Sequence, residues 1–67
     1  MKYKNILHAL VETGMSKKDL ATKLGWSYSR LLDKLNGRVK LTYDEAIEIK
    51  SVLNAVEPIE YLFAKTA

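Results

Sequence analysis

The chain has 67 residues, a formal net charge of +3 and no cysteine. This length supports one small hydrophobic core, so we expect a single domain over residues 1–67. Without cysteine there are no disulfides and no thiolate metal sites, and no apolar run approaches the roughly 20 residues of a membrane span. With no signal-peptide pattern either, we expect a soluble cytoplasmic protein.

The charge is divided unevenly along the chain. Residues 1–40 carry nine Lys and Arg against three Asp and Glu, a net of +6, whereas residues 41–67 carry two against five, a net of −3. A basic half joined to an acidic half suits a protein that turns one face toward a polyanion. Uneven charge also arises by chance in short domains, so the distribution alone leaves both interpretations open.

The hydrophobic pattern predicts helices and gives almost no strand signal. Thr13 and Gly14 end the first helical pattern. Its apolar residues are Ile6, Leu7, Leu10 and Val11. In the second helix, Ser16 is the expected N-cap, Asp19 stands in the capping-box position, and Gly25 is the expected stop. The apolar stripe of that helix consists of Leu20, Ala21 and Leu24.

A third helix is predicted to begin almost at once, with Ser27 as N-cap, and to end at Asn36 and Gly37. Its apolar residues are Leu31, Leu32 and Leu35. Trp26 precedes the cap and Leu31 is the fourth helical residue, which is the spacing of a hydrophobic staple. We therefore expect Trp26 to be structural and not a base-stacking residue.

Two more helices are predicted in the acidic half. Thr42 is the expected N-cap of the fourth, with Glu45 in the capping-box position. The side chains expected to pack inward are Ala46, Ile49, Val52 and Leu53. The pattern does not assign Ile47 to either face of the helix. Pro58 suits the first position of a short fifth helix with Ile59, Leu62 and Phe63 on one side. That apolar side either closes the core of one chain or forms part of a dimer seam.

Helices two and three, joined by a tight turn containing Gly25, are typical of a helix-turn-helix, whose second helix can enter the DNA major groove. Helix N-termini favour acidic residues, yet the first turns of these helices carry Lys17, Lys18 and Arg30. No neighbouring residue in the sequence offsets these charges, and a bound phosphate would. For Lys18, which precedes Asp19, an ordinary solvated lysine remains the alternative.

Basic residues are also expected to flank the far end of helix three and to contact phosphate: Lys34, Arg38 and Lys40. Between the two basic groups, Tyr28, Ser29 and Asp33 would face the base edges. This arrangement predicts an interface with double-stranded DNA.

The stretch from Ser16 to Leu53 resembles the Cro/repressor (Xre-type) helix-turn-helix family of temperate phages and mobile elements. It reads SKKDLATKLGWSYSRLLDKLNGRVKLTYDEAIEIKSVL. The features that carry the resemblance are Leu20-Ala21, Gly25 before Trp26 and Ser27, Leu31, Leu35-Asn36-Gly37, and Glu45-Ala46 with Ile49. The resemblance implies an all-α, five-helix, lambda-repressor-like fold and a regulator that represses by occupying an operator.

The resemblance also implies roles for single residues. Base contacts would come from Ser27, Tyr28 and Ser29, and Lys17 would act at the start of helix two. Asn36 and Arg38 would contact the DNA backbone. Asp33 departs from the Gln, Arg or Lys common at its position, and an acidic side chain there suits only an acceptor role toward a cytosine amino group.

Three further expectations concern partners and chemistry. Family members commonly dimerise on palindromic operators, so a homodimer on DNA through Ile59, Leu62 and Phe63 is expected. The alternative function is binding to a larger repressor or another protein partner. The acidic half of the chain would then serve as the docking surface. An enzyme is not expected, nor a metal or cofactor, because the chain has one histidine, His8, no cysteine and no paired carboxylates on a buried face.

Overall fold

The computed structural model of the chain describes residues 2–64, and every regular element within that range is helical. The helices are α1 (Lys4–Thr13), α2 (Lys17–Leu24), α3 (Tyr28–Leu35), α4 (Tyr43–Leu53) and α5 (Ile59–Leu62). The radius of gyration of the Cα atoms is 10.6 Å, close to the roughly 11 Å of a folded domain of this length. The prediction of an all-α chain with five helices is confirmed.

The helix starts follow from interactions between neighbouring residues. At α2 the hydroxyl of Ser16 accepts from the N–H of Asp19 at 3.1 Å, and the Asp19 carboxylate accepts from the N–H of Ser16 at 3.2 Å. At α4 the hydroxyl of Thr42 accepts from the N–H of Glu45 at 3.2 Å, and the Glu45 carboxylate accepts from the N–H of Thr42 at 2.9 Å. Both predicted capping boxes are confirmed.

The core forms where α2 packs against α3 and α4, with α1 and α5 packed on each other and on α4. Trp26 and Leu31, the predicted staple pair, are both buried in it. The core cluster contains Tyr3, Ile6, Leu10, Leu20, Ala21, Trp26, Leu31, Leu35, Ile49, Leu53 and Leu62. This packing determines which face of α3 remains outside.

Two of the four apolar residues that form the predicted helical pattern of α1 are exposed. Leu7 is 39% exposed and Val11 is 73% exposed. The buried face of α1 is centred on Ile6 and Leu10, because α4 and α5 both pack on that side of the helix. Hydrophobic spacing cannot distinguish a stripe of two residues from a wider one without the position of the neighbouring helices.

The C-terminal segment closes the core of the same chain. Leu62 is 1% exposed, and the ring of Phe63 packs edge-on against Tyr3 with 5.5 Å between ring centroids. The side-chain amide of Asn5 donates to the backbone oxygen of Tyr61 at 2.7 Å. Leu62 therefore cannot belong to the surface of a dimer seam, and that part of the prediction is corrected. Pro58 was predicted to be the first residue of α5. It is the N-cap, so the helix begins one residue later, at Ile59.

Candidate nucleic-acid interface

Side chains from the first turns of α2 and α3 meet on the surface. Three residues connect the two helices, and Gly25 among them adopts φ +75°, a left-handed conformation that favours glycine and lets the chain turn. Across this turn, the Nζ of Lys18 lies 5.7 Å from the centroid of the Tyr28 ring. This distance is within the range of a cation–π contact, so the contact joins the first turns of both helices.

We define the N-terminal cluster as Lys17, Lys18, Ser27, Tyr28 and Ser29. Tyr28 is 40% exposed, and of the other members all but the half-buried Lys17 are exposed. The hydroxyl of Ser27 accepts from the backbone N–H of Arg30 at 3.1 Å, so its oxygen caps α3 while its O–H remains a donor. The cluster thus offers hydroxyl, phenol and ammonium donors on one surface.

The far end of α3 carries a second group of polar and basic side chains. Gly37 adopts φ +79°, a left-handed conformation that favours glycine. The turn leaves Asn36 and Lys40 exposed. The side chain of Arg38 is 76% exposed, with its Nη1 3.8 Å from Asp33 Oδ1. An exposed pair of this length contributes little energy, so it leaves Arg38 available to an anion.

Lys34 does not lie on this surface, contrary to the prediction. Its side chain is only 10% exposed, and its Nζ donates to Glu45 Oε1 at 2.8 Å and to the backbone oxygen of Lys40 at 3.1 Å. A lysine buried among two oxygen acceptors is held inside the protein and has little surface to offer phosphate. Lys34 therefore ties α3 to α4 and to the loop between them.

Arg30 pairs with a carboxylate of the same chain that is distant from it in the sequence. Its Nη2 donates to Glu45 Oε2 at 2.9 Å, and its guanidinium carbon lies 4.3 Å from the centroid of the Trp26 ring. The side chain still keeps 48% of its surface exposed. The unfavourable position of Arg30 in the first turn of α3 is thus offset within the chain by a carboxylate of α4.

Glu45 is the residue that sequence reasoning missed as part of this site. Its hydrogen bond with the Lys34 ammonium, followed by that with the Thr42 N–H, lowers the pKa of the Glu45 carboxyl from 4.5 to about 2. Its capping-box position was visible in the sequence. Its contacts with Lys34 and Arg30 span 11 and 15 residues, and no local signal indicates them.

The described residues suggest no metal centre and no membrane helix. Within residues 2–64 no three His, Asp or Glu side chains are grouped as metal ligands would be. In the same range, no helix combines the length and the apolar character needed to cross a membrane.

Comparison of the chain with protein-family models, with curated proteins and with solved structures gave no match in any of the three.

Proposed function

We propose that this protein is a sequence-specific DNA-binding regulator of transcription in which α2 and α3 act as a helix-turn-helix. The observation that carries the proposal is the N-terminal cluster, where Lys17 and Lys18 occupy the first turn of α2 and Lys18 contacts Tyr28 in the first turn of α3. Helix N-termini and ammonium groups both attract phosphate, and the duplex carries phosphates on both sides of each groove.

The length of α3 supports the same proposal. Eight residues of α-helix span about 12 Å, close to the width of the major groove of B-DNA. The N-terminal cluster lies at one end of α3, and Arg38 and Lys40 follow the other end. Basic side chains at both ends of a helix of this length match the phosphates that border the groove.

In this proposal the side chains have distinct roles. Lys17, Lys18, Arg38 and Lys40 contact phosphate and set the register of the protein on the duplex. Asn36, exposed at the end of α3, also contacts the DNA backbone.

Tyr28 and Ser29 contact base edges, the ring of Tyr28 through a thymine methyl group and the hydroxyl of Ser29 through a hydrogen bond. Ser27 offers its O–H at the same end of α3. Asp33, whose side chain is 41% exposed beside Arg38, acts as an acceptor toward a cytosine amino group.

The proposed mechanism is repression by occupancy of an operator, so that polymerase cannot use the same DNA. A pair of chains on a palindromic site would bind half-sites about 34 Å apart, on one face of the duplex. Because Leu62 is buried within one chain, any contact between the two copies has to use surface residues.

The test is a binding titration of the purified protein against random duplex and against duplexes selected from a pool, each at several salt concentrations. We expect selected duplexes to bind at least a thousandfold more tightly than random ones, with a steep salt dependence. Lys18→Gln should weaken binding, whereas Lys23→Gln, an equal charge change at the opposite end of α2, should have a smaller effect. No binding to either pool at physiological salt would refute the proposal.

Binding to a protein partner is the second candidate, and one surface observation favours it. Tyr43 is 70% exposed and Ile47, one turn later on α4, is 42% exposed. Asp44 and Glu48 are exposed on the same helix. An apolar pair among carboxylates suits a partner with apolar and basic residues. If duplex DNA does not bind, we expect such a partner to bind the unmodified chain and not the Ile47→Asp variant.

A further inference from the structure

One carboxylate of α4 pairs with two side chains of α3, the proposed recognition helix. The two oxygens of Glu45 accept hydrogen bonds from Arg30 and Lys34 of α3 and from the N–H of Thr42. Two α3 side chains, one from its first turn and one from its last, thus meet at one point on α4. This arrangement adds an ionic contact between α3 and α4 to the core packing of Leu31 and Leu35.

Two contacts hold the Arg30 guanidinium, and a third holds the backbone of the same residue. The Trp26 ring lies on one side, Glu45 Oε2 binds one nitrogen, and Ser27 caps the backbone N–H of the same residue. Among residues 2–64, Glu45 is the one side chain that accepts from this guanidinium, which leaves most of its five donors unused. A planar cation that is stacked, anchored at one edge and half exposed is prepared for a phosphate at its other edge.

The geometry allows two opposite effects of Glu45 on DNA binding. As a negative charge beside Arg30, it would compete with phosphate and weaken binding. As the anchor of Arg30, it would lower the entropy lost when the side chain binds phosphate and would strengthen binding. The second effect is favoured because Lys34 and the Thr42 N–H also bind the carboxylate, so its charge is largely compensated within the protein.

We propose that Glu45 is a positioning residue for DNA binding, which holds the Arg30 guanidinium against Trp26 so that its free edge binds a phosphate. This inference depends on the proposed DNA-binding function and adds Arg30, held in position by Glu45, to its phosphate contacts.

The first experiment compares Glu45→Gln with Glu48→Gln in the duplex titration. Both changes remove one negative charge from α4, and Glu48 is exposed. General electrostatics would make both variants bind more tightly. We expect Glu45→Gln to bind roughly tenfold more weakly than the unmodified chain, because a charge-assisted contact is lost, and Glu48→Gln to bind as tightly as that chain or more tightly. Binding by Glu45→Gln that equals or exceeds that of the unmodified chain would overturn the inference.

The second experiment asks whether Glu45 acts through Arg30. Arg30→Gln should lower the salt slope by about one unit, and the double variant with Glu45→Gln should bind no more weakly than Arg30→Gln alone. If the two losses multiply instead, Glu45 acts by another route and the inference fails.

Arg30→Lys provides a test that leaves Glu45, Lys34 and Thr42 intact, should Glu45→Gln fold poorly. It keeps the charge but loses the planar group, so its affinity should fall to about that of Arg30→Gln. Affinity equal to that of the unmodified chain would overturn the inference.

A readout on the free protein separates this inference from the DNA-binding proposal. The side-chain protons of Arg30 should show an upfield ring-current shift from Trp26 in the NMR spectrum, and Glu45→Gln should reduce that shift. An unchanged shift would overturn the positioning role alone. Failure of the unmodified chain to bind any duplex would overturn the DNA-binding proposal and this inference with it.

Discussion

The Nζ of Lys34 and the Oε1 of Glu45 lie 2.8 Å apart, and the two side chains are 10% and 13% exposed. Lys34 belongs to the last turn of α3 and Glu45 to the first turn of α4. A cation and an anion this close in the interior each depend on the other, because removal of one leaves the other desolvated and incompletely paired.

We predict that Lys34→Ala lowers the free energy of unfolding by about 2–4 kcal/mol. Glu45 would keep Arg30 and the Thr42 N–H as partners, but α3 would lose its contact with the loop at Lys40. Urea unfolding followed by Trp26 fluorescence measures the change. Lys23→Ala, which removes an exposed lysine, should change the unfolding free energy by less than about 0.5 kcal/mol. Similar losses in the two variants would contradict the buried role of Lys34.

Acid should destabilise the protein partly through Glu45. The pKa of its carboxyl is about 2 in the folded chain against an ordinary value of 4.5. Since the folded value is the lower one, the ionised group stabilises the fold above about pH 4.5. That contribution, up to about 3 kcal/mol, is lost as the pH falls from about 4.5 toward 2.

The measurement is urea unfolding at several pH values between 7 and 2.5, for the unmodified chain and for Glu45→Gln. The difference in unfolding free energy between the two should be largest at neutral pH and should shrink as the pH falls below about 4.5. A difference that stays constant over the whole range would contradict the assignment of the lowered pKa to Glu45.

Arg38 and Ser29 should affect DNA binding in different ways. Arg38→Ala should weaken binding to all duplexes and reduce the salt slope by about one unit, because the residue contacts phosphate in the proposed function. Ser29→Ala should mainly relax base preference at one position. The titrations with random and selected duplexes measure both effects. Equal effects of the two variants on all sequences would refute these separate roles.

Leu62→Ala should destabilise the single chain by about 2–4 kcal/mol, because it leaves a cavity in the core beneath α5. Tyr61→Ala, a neighbouring change at a side chain that is 51% exposed, serves as the control and should cost much less. Unfolding measured at two protein concentrations separates core packing from association. A loss for Leu62→Ala that grows on dilution would indicate a dimer seam instead of closure of one core.

The start of each of the three middle helices was predictable from the sequence because each N-cap acts over three residues. Ser16, Ser27 and Thr42 each accept from the backbone N–H three positions later, as their spacing predicts. Trp26 was likewise predicted to be structural, and it is buried. Such local hydrogen bonds and staple contacts need no knowledge of distant chain segments.

The candidate site was only partly predictable. Lys18 and Tyr28 were expected near the same surface, but their direct contact depends on the turn at Gly25. Leu7 and Val11 fitted a helical stripe equally well, yet both are exposed because α4 and α5 pack on the side of Ile6 and Leu10.

The sequence by itself therefore determined that this chain is helical, where its capped helices begin and where its basic residues gather. Only the tertiary structure decided which of those basic residues face outward. Lys34 and Arg30 both meet Glu45, at separations of 11 and 15 residues, and the packing of α3 and α4 against α2 is what brings them together. Periodicity assigns a side chain to a face of its own helix, but its exposure and its ionic partner depend on which helix covers that face.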